Sequence, residues 1–186
     1  WSALGLVQLM QDHQEDALIS LSNSIDYGSK WAGDYINRGI IYYRKHNYRS
    51  ALADYDKAVA LAPRDAQCFY NRGVLRQELG DYNRALEDFT QAINYAPDQI
   101  EIYYQRGLVL LQLRQWQEAW QDFNTIIMRY PYFLPAYYLA AQAQTSLGNS
   151  KEALQLRQQA YKLEQKKDSI QSLATTMQMA ESQPQQ

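Results

Sequence analysis

The stretch AQCFYNRGVLRQELGDYNRALEDFTQAINYAPDQ, residues 66–99, carries the pattern that decides the fold. Apolar residues and glycine recur at intervals of three and four on both sides of the turn Leu79-Gly80-Asp81. This spacing is typical of amphipathic helices. Gly80 suits a left-handed helix end, and Asp81 suits the cap of the next helix. The stretch therefore predicts two helices joined by a tight turn.

The same pattern recurs along the chain at a fixed interval of 34 residues. Steps of this length from Gly73 reach Gly39, Gly5, Gly107 and Ala141. Further columns are Ala17, Ala51, Ala85, Ala119 and Ala153; Trp1, Tyr35, Phe69, Tyr103 and Tyr137; Leu21, Tyr55, Phe89 and Phe123; and Pro63, Pro97 and Pro131. An internal period of this kind indicates stacked repeats, each of which has too little core to fold alone.

The run Trp1-Ser-Ala-Leu4-Gly5, followed by Ala17 and by later units that end in proline, resembles the tetratricopeptide repeat. The resemblance covers Trp1 to about Gln165 as five units. Gln165 stands where earlier units have proline, and unit one lacks the aromatic and proline positions. The family implies an all-α fold, a right-handed α-solenoid of five antiparallel helix pairs.

The repeat register predicts one array over residues 1–167, followed by a C-terminal capping helix over 168–182 and a frayed tail over 183–186. Asp168 is the expected cap of that helix. Because Trp1 falls inside a predicted helix, we expect natural sequence before it. The predicted units are residues 1–31, 32–65, 66–99, 100–133 and 134–167.

Composition excludes several classes of function. The net charge of -2 gives no large field to attract nucleic acid. No apolar run reaches the roughly 18 residues of a membrane span. A single cysteine, Cys68, forms no internal disulfide and lacks the companions of a structural metal site. The compartment stays undetermined.

The sequence offers few parts for an enzyme. His13 and His46 fall in equivalent turns, and Cys68 has Asn71 and Arg72 beside it where a nucleophile needs a base. Neither a phosphate loop nor metal-ligand spacing is present. We therefore expect no catalysis, no cofactor and no metal.

Two sets of charged residues recur along the chain. Arginines stand directly before three of the glycines, and structural contacts between repeats are their expected role, with ligand contact as the alternative. The carboxylates of the second helices are expected to lie on a solvated outer face. The two sets are Arg38, Arg72 and Arg106, and Asp54, Asp56, Glu87 and Asp88.

In the family, the first helices of successive units line a concave groove that holds a peptide or a helix. Helical spacing places three columns and a row of amides on that face. Tyrosines there offer large contact area at small entropic cost. The predicted groove residues are Ile36, Asn37, Ile40, Tyr43, Tyr70, Asn71, Val74, Gln77, Tyr104, Gln105, Leu108, Leu111, Tyr138 and Gln142.

Some family members clamp the terminal carboxylate of a chaperone with lysine and asparagine. Gln67 and Glu101 stand here where that clamp needs basic residues, so a chaperone tail is disfavoured despite Asn37 and Asn71. The aromatic turn over residues 130–135 is a second candidate surface, for another domain or a second copy. The sequence thus favours a protein-interaction scaffold, with a structural spacer or a self-assembling solenoid as the alternative.

Overall fold

The computed structural model describes residues 1–181, with side chains as far as residue 166. The described residues form ten helices and contain no strand. The helices are α1 (Ser2–Met10), α2 (Gln14–Asp26), α3 (Ala32–Arg44), α4 (Tyr48–Leu61), α5 (Ala66–Glu78), α6 (Tyr82–Tyr95), α7 (Ile100–Gln112), α8 (Trp116–Arg129), α9 (Leu134–Ser146) and α10 (Ser150–Glu181). The prediction of an all-helical repeat fold is confirmed.

The chain forms two compact units, Trp1–Val109 and Leu110–Gln186. In the first unit, each helix packs against the next within the pairs α1–α2, α3–α4 and α5–α6. Because a short turn joins two packed helices, the helices of each pair run antiparallel. The pairs also contact one another through α2 with α3, and through α4 with α5. In the second unit, α9 packs against both α8 and α10.

One residue in the turn of every helix pair has a positive φ angle. Gly80 has φ +78°, which confirms the predicted left-handed helix end. The residues at the same position of the other pairs are Asp12, His46, Arg114 and Gly148, with φ between 57° and 84°. The turn therefore imposes this conformation even where the residue has a Cβ.

The glycine column marks the closest approach within each pair. A Cβ built on Gly39 would lie 2.6 Å from the Tyr55 ring, and one on Gly73 would lie 2.9 Å from the Phe89 ring. Such distances are far inside van der Waals contact, so these positions need glycine. The close neighbour of both glycines is the aromatic column that contains Tyr55 and Phe89.

The segment predicted as a capping helix continues α10. Asp168 does not begin a separate helix, since α10 runs unbroken from Ser150 to Glu181. No proline or glycine occurs within this range to end the helix, and Gln165 replaces the proline of earlier units. Residue 182 and the predicted frayed tail, 183–186, lie outside the described residues.

Candidate partner-binding surface

The first-helix face of the first unit contains a cavity of about 240 Å³. Helices α3 and α5 contribute most of its lining residues, and Tyr55 of α4 also lines it. Five predicted groove residues meet here from two repeats. The lining residues are Ile40, Tyr43, Arg44, Tyr55, Tyr70, Asn71 and Val74.

Helix geometry explains how these residues converge. Tyr70 and Val74 are one turn apart on α5, and Ile40 and Tyr43 are one turn apart on α3, so each pair shares a face. The first helices α3 and α5 contact each other directly. Arg44 and Tyr55 were not among the predicted groove residues. Arg44 follows Tyr43 on the same helix end, and Tyr55 belongs to a column that the repeat pattern assigns wholly to the core.

Two groove amides keep a buried polar atom unpaired. Asn71 Oδ1 accepts a hydrogen bond of 3.1 Å from Gln67 Nε2. Among the described side chains, however, Asn71 Nδ2 and Gln77 Oε1 are buried without a hydrogen-bond partner. A buried polar group without a partner costs about 1–3 kcal/mol. Asn71 Nδ2 is thus an unsatisfied donor, and Gln77 Oε1 is an unsatisfied acceptor.

Tyr70 stands between the core and the cavity. Its ring centroid lies 6.0 Å from that of Phe89 on α6, at an angle within the range of aromatic pairs. Burial and the negative charge of Glu101 raise the pKa of Tyr70, and a hydrogen bond with Gln105 opposes them. The Tyr70 side chain is therefore half-buried and held in place before any partner arrives.

Tyr43 takes part in a polar contact between two repeats. Its hydroxyl donates to Glu78 Oε2, and the Tyr48 hydroxyl donates to Glu78 Oε1 at 2.9 Å. His46 Nδ1 lies 3.0 Å from the same Tyr48 oxygen. The hydrogen bond to Glu78 raises the pKa of Tyr43 to about 12, and the two phenols lower the pKa of Glu78. The Tyr43 ring thus lines the cavity while its hydroxyl is already engaged.

Two predicted groove residues are buried instead. Ile36 packs with Tyr35, Ala58 and Cys68 in a core cluster. Leu111 is likewise buried in the second unit. Helical spacing placed both residues on the open face, but their burial leaves them little surface for a partner.

The other predicted residues keep some exposed surface. Asn37, Tyr104, Gln105 and Leu108 are half-buried in the first unit. In the second unit Tyr138 and Gln142 are exposed, and a hydrogen bond with Glu164 raises the pKa of Tyr138.

The arginine column is structural, as expected. Arg38 donates from Nε and Nη2 to the two carboxylate oxygens of Asp54 at 2.8 Å each, and from Nη1 to Ser22 Oγ of the preceding repeat at 3.4 Å. Arg72 repeats this geometry, with Asp88 in its own repeat and Asp56 in the preceding one. Each arginine ties two neighbouring repeats together.

This arrangement corrects the expected solvated face for Asp54 and Asp88, whereas Asp56 and Glu87 are exposed as expected. Asp54, Asp88 and Asp122 are buried, and Asp54 and Asp88 carry arginine partners. A buried carboxylate needs such a partner to remain charged. The spacing of 16 residues between each arginine and its aspartate was the available signal in the sequence.

A second cavity, of about 400 Å³, lies at the aromatic turn of the second unit. Tyr130 and Tyr132 are exposed there, and Lys166 Nζ lies 6.0 Å from the Tyr132 ring centroid. The turn thus exposes two large aromatic side chains to solvent. The cavity is lined by Pro131, Tyr132, Tyr137, Gln159, Lys162, Leu163 and Lys166.

Cys68, the single cysteine, lines neither cavity. Burial raises the pKa of the Cys68 thiol to about 11, so it stays protonated at neutral pH. Within the described part of the chain, no three His, Cys, Asp or Glu side chains come together as metal ligands. None of the described helices is long and apolar enough to cross a membrane.

A comparison with curated protein sequences finds no match. Among solved structures, a crystal structure of MamA superposes with a TM-score of 0.82 at 20% identity, over 89% of this chain and 97% of MamA. A structure titled as YrrB, a TPR protein with an unusual peptide-binding site, superposes with a TM-score of 0.78 at 22% identity, over 86% of this chain and 82% of YrrB. At these identities the likeness shows a shared fold.

Sequence models of the tetratricopeptide repeat match the chain in three places. They cover residues 39–98, 70–132 and 134–167. These ranges contain the residues that line the cavity between α3 and α5, all of α9 and the first part of α10. The 34-residue period, the helix pairs and these matches agree, and the chain belongs to the tetratricopeptide-repeat family.

Proposed function

We propose that the chain is a non-catalytic scaffold that binds a peptide or a helix of a protein partner on the first-helix face. The observation that carries this proposal is the cavity of about 240 Å³ where Ile40, Tyr43, Tyr70, Asn71 and Val74 converge from two repeats. The tetratricopeptide-repeat fold supports an interaction role in general.

The size of the cavity favours one side chain of a larger partner. Pockets for drug-sized ligands usually measure roughly 300–1,000 Å³. This cavity is smaller, and apart from Arg44 and Asn71 its walls are aliphatic and aromatic. A large apolar side chain of the partner fits these walls, and Tyr70 supplies the rigid contact area that anchors such residues.

Asn71 favours an extended partner segment at this point. Its unpaired Nδ2 donates to a carbonyl oxygen, and an extended peptide presents such oxygens along its whole length. A helix presents unpaired carbonyls only in its last turn. Tyr104, Gln105 and Leu108 extend the proposed contact in the first unit, and Tyr138 and Gln142 are proposed contacts in the second.

Peptides selected from a random library on the wild-type chain test the proposal. We expect Val74→Glu, which brings a charge into the apolar cavity, and Asn71→Ala to weaken the selected peptides. The loss of the Asn71 hydrogen bond should cost about 0.5–1.5 kcal/mol, which is roughly two- to twelvefold in affinity. Glu87→Gln, on the exposed surface of α6, is the matched control.

A double variant measures the tyrosines together. Tyr70→Ala with Tyr104→Ala should weaken binding by about thirtyfold or more, the scale of a central aromatic anchor. Circular dichroism must show that the variants remain folded, since Tyr70 also contacts Phe89. Peptides that bind the wild type and all folded groove variants equally would refute the proposed groove.

The alternative is a spacer or self-assembling solenoid. The exposed Tyr130 and Tyr132 of the aromatic turn favour it, and they are independent of the cavity between α3 and α5.

A further inference from the structure

The cavity of about 400 Å³ at the aromatic turn has one wall that carries positive charge. We call it the α10 cavity, because helix α10 supplies four of its seven lining residues. Counted from the first of the four, the others stand three, four and seven positions further along the helix, so all four share one face. They are Gln159, Lys162, Leu163 and Lys166.

The other wall of the α10 cavity is held in place by hydrogen bonds within the chain. Tyr137 is buried, and its hydroxyl donates a hydrogen bond of 2.9 Å to the backbone carbonyl oxygen of Pro131. The backbone N–H of Leu134 donates to the carbonyl oxygen of Tyr132 at 3.0 Å. Because these bonds fix the turn that carries the Tyr132 ring, a ligand that packs on this ring has to order little of the chain.

The two lysines of the α10 cavity carry unpaired charge. Neither Lys162 nor Lys166 has an ion-pair partner among the described residues. They stand four positions apart on one helix, a spacing at which like charges repel each other. Lys166 Nζ lies 6.0 Å from the centroid of the Tyr132 ring, so one of the two charges lies beside the aromatic wall. A carboxylate bound between the two ammonium groups removes their repulsion.

The aromatic residue at position 132 departs from the repeat pattern. Steps of 34 residues from Tyr132 reach Lys30, Arg64 and Asp98, all of which are charged and exposed. Tyr132 is itself 74% exposed, although an aromatic ring gains free energy when it is removed from water. The fold of a repeat therefore does not require an aromatic residue here, which favours a contact with a partner.

Packing between successive repeats leaves this edge of the second helix open. The position of Lys162 is exposed in each of the four earlier repeats, although another repeat follows each of them. Exposure at this position is thus a property of the repeat itself. The equivalent residues are Asp26, Ala60, Asn94 and Met128.

We propose that the α10 cavity binds an acidic segment of a protein partner, in which a carboxylate stands next to a large apolar side chain. The carboxylate lies between Lys162 and Lys166, and the apolar side chain packs on the Tyr132 ring. Ligand pockets usually measure roughly 300–1,000 Å³, so a cavity of about 400 Å³ has room for both side chains. Two ammonium groups complement one carboxylate, whereas nucleic acid or an anionic membrane requires a broad basic surface, and this chain has a net charge of -2.

A selection of random peptides tests the proposal. The peptides are selected on the wild-type chain and counter-selected on a chain with both Lys162→Glu and Lys166→Glu, which repels a carboxylate. Both positions are exposed, so circular dichroism should show an unchanged fold. We expect the peptides that prefer the wild type to carry aspartate or glutamate beside a leucine or an aromatic residue.

Single variants measure each contact by fluorescence polarisation with a selected peptide. Lys162→Gln and Lys166→Gln should each weaken binding by roughly two- to fivefold, the scale of an exposed ion pair. Tyr132→Ala should weaken it by about fivefold or more, because the apolar contact is lost. Lys151→Gln is the matched control, since Lys151 is exposed on the same helix but lines no part of the cavity, and it should bind like the wild type.

Three outcomes would overturn the proposal. The first is that no acidic peptide prefers the wild type to the doubly reversed chain. The second is an equal loss of affinity in Lys151→Gln and Lys162→Gln, which would mean a general attraction between charges. The third is that RNA, phosphatidylserine vesicles or a second copy of the chain, but no peptide, binds the wild type and not the reversed chain. None of these outcomes bears on the groove proposal, because the cavity between α3 and α5 contains none of the changed residues.

Discussion

Asp88 on α6 accepts a hydrogen bond of 2.7 Å from Arg72 Nη2 on α5 while its carboxylate is almost wholly buried. Arg76 Nη1 also donates to this carboxylate, at 2.8 Å. One buried negative charge therefore holds two guanidinium groups, and Arg72 reaches on to Asp56 of the preceding repeat. The pair joins the packing within a repeat to the contact between repeats.

Asp88→Ala should lower the free energy of unfolding by about 3–5 kcal/mol, because it leaves buried positive charge without its partner. Asp88→Asn keeps an acceptor oxygen and should cost less. The measurement is the denaturant midpoint, with Glu87→Gln on the same helix as a control expected within about 0.5 kcal/mol of the wild type. Equal midpoints for all variants would contradict the structural role of the arginine column.

Gly73→Leu should destabilise the chain by about 3 kcal/mol or more, since even a single Cβ would lie 2.9 Å from the Phe89 ring. Gly80→Ala is the informative comparison. Its Cβ would meet no described atom within 4 Å, but its φ of +78° should still cost about 1 kcal/mol. If both changes gave the same thermal midpoint, close packing would not be the reason for the glycine column.

Arg114→Gly should stabilise the chain. Arg114 has φ +58° at the turn position that glycine occupies in two other repeats, as Gly80 and Gly148. Its side chain is exposed. Relief of a left-handed residue is worth about 1–2 kcal/mol. The added flexibility of glycine in the unfolded chain offsets about 0.5–1 kcal/mol of this. We expect a net gain of roughly 0.5–1 kcal/mol from urea unfolding, and a loss of stability would show that the arginine side chain matters more than its backbone.

The contact of Glu78 with two phenols should make stability depend on pH. The pKa of Glu78 is lowered in the folded chain, so its contribution is present above its unfolded pKa and is lost as pH falls through the lower, folded value. Glu78→Gln should therefore lower the melting temperature near neutral pH by about 2 °C or less, because the site is exposed and screened. The difference from the wild type should vanish in acid.

The raised pKa of Tyr43 should make the same contact depend on pH in alkaline solution. Its hydrogen bond to Glu78 is fully formed below the ordinary tyrosine pKa and is lost as pH rises through about 12. Ultraviolet titration of Tyr43→Phe against the wild type should show the missing phenol ionising near that value. An ionisation near pH 10 would mean that Tyr43 does not bond to Glu78.

Much of the candidate surface followed from helical spacing alone. Ile40, Tyr43, Tyr70, Asn71 and Val74 were placed on one face by their positions, and all five line one cavity. Spacing fixes direction around a single helix. It does not say how far the next helix reaches across that face, which is why Ile36 was assigned to the groove although it is buried.

The pattern of a single helix also could not predict which charged side chains form ion pairs. Asp54 and Asp88 were expected on the surface because charged residues of an amphipathic helix usually lie on its solvated face. Their arginines come from the other helix of the pair, 16 residues earlier, and only packing brings the two together. The same holds for Glu78, which meets Tyr43 from a different repeat.

The sequence by itself determined the period, the helix pairs, the left-handed turn at Gly80 and the need for glycine at Gly73, because these depend on local backbone preference and on a recurring spacing. Only the tertiary structure decided which residues of each face are covered and which carboxylates are buried. Burial is a property of two surfaces in contact. A repeat pattern specifies the residues of both surfaces, but only the packed structure shows which surfaces are in contact.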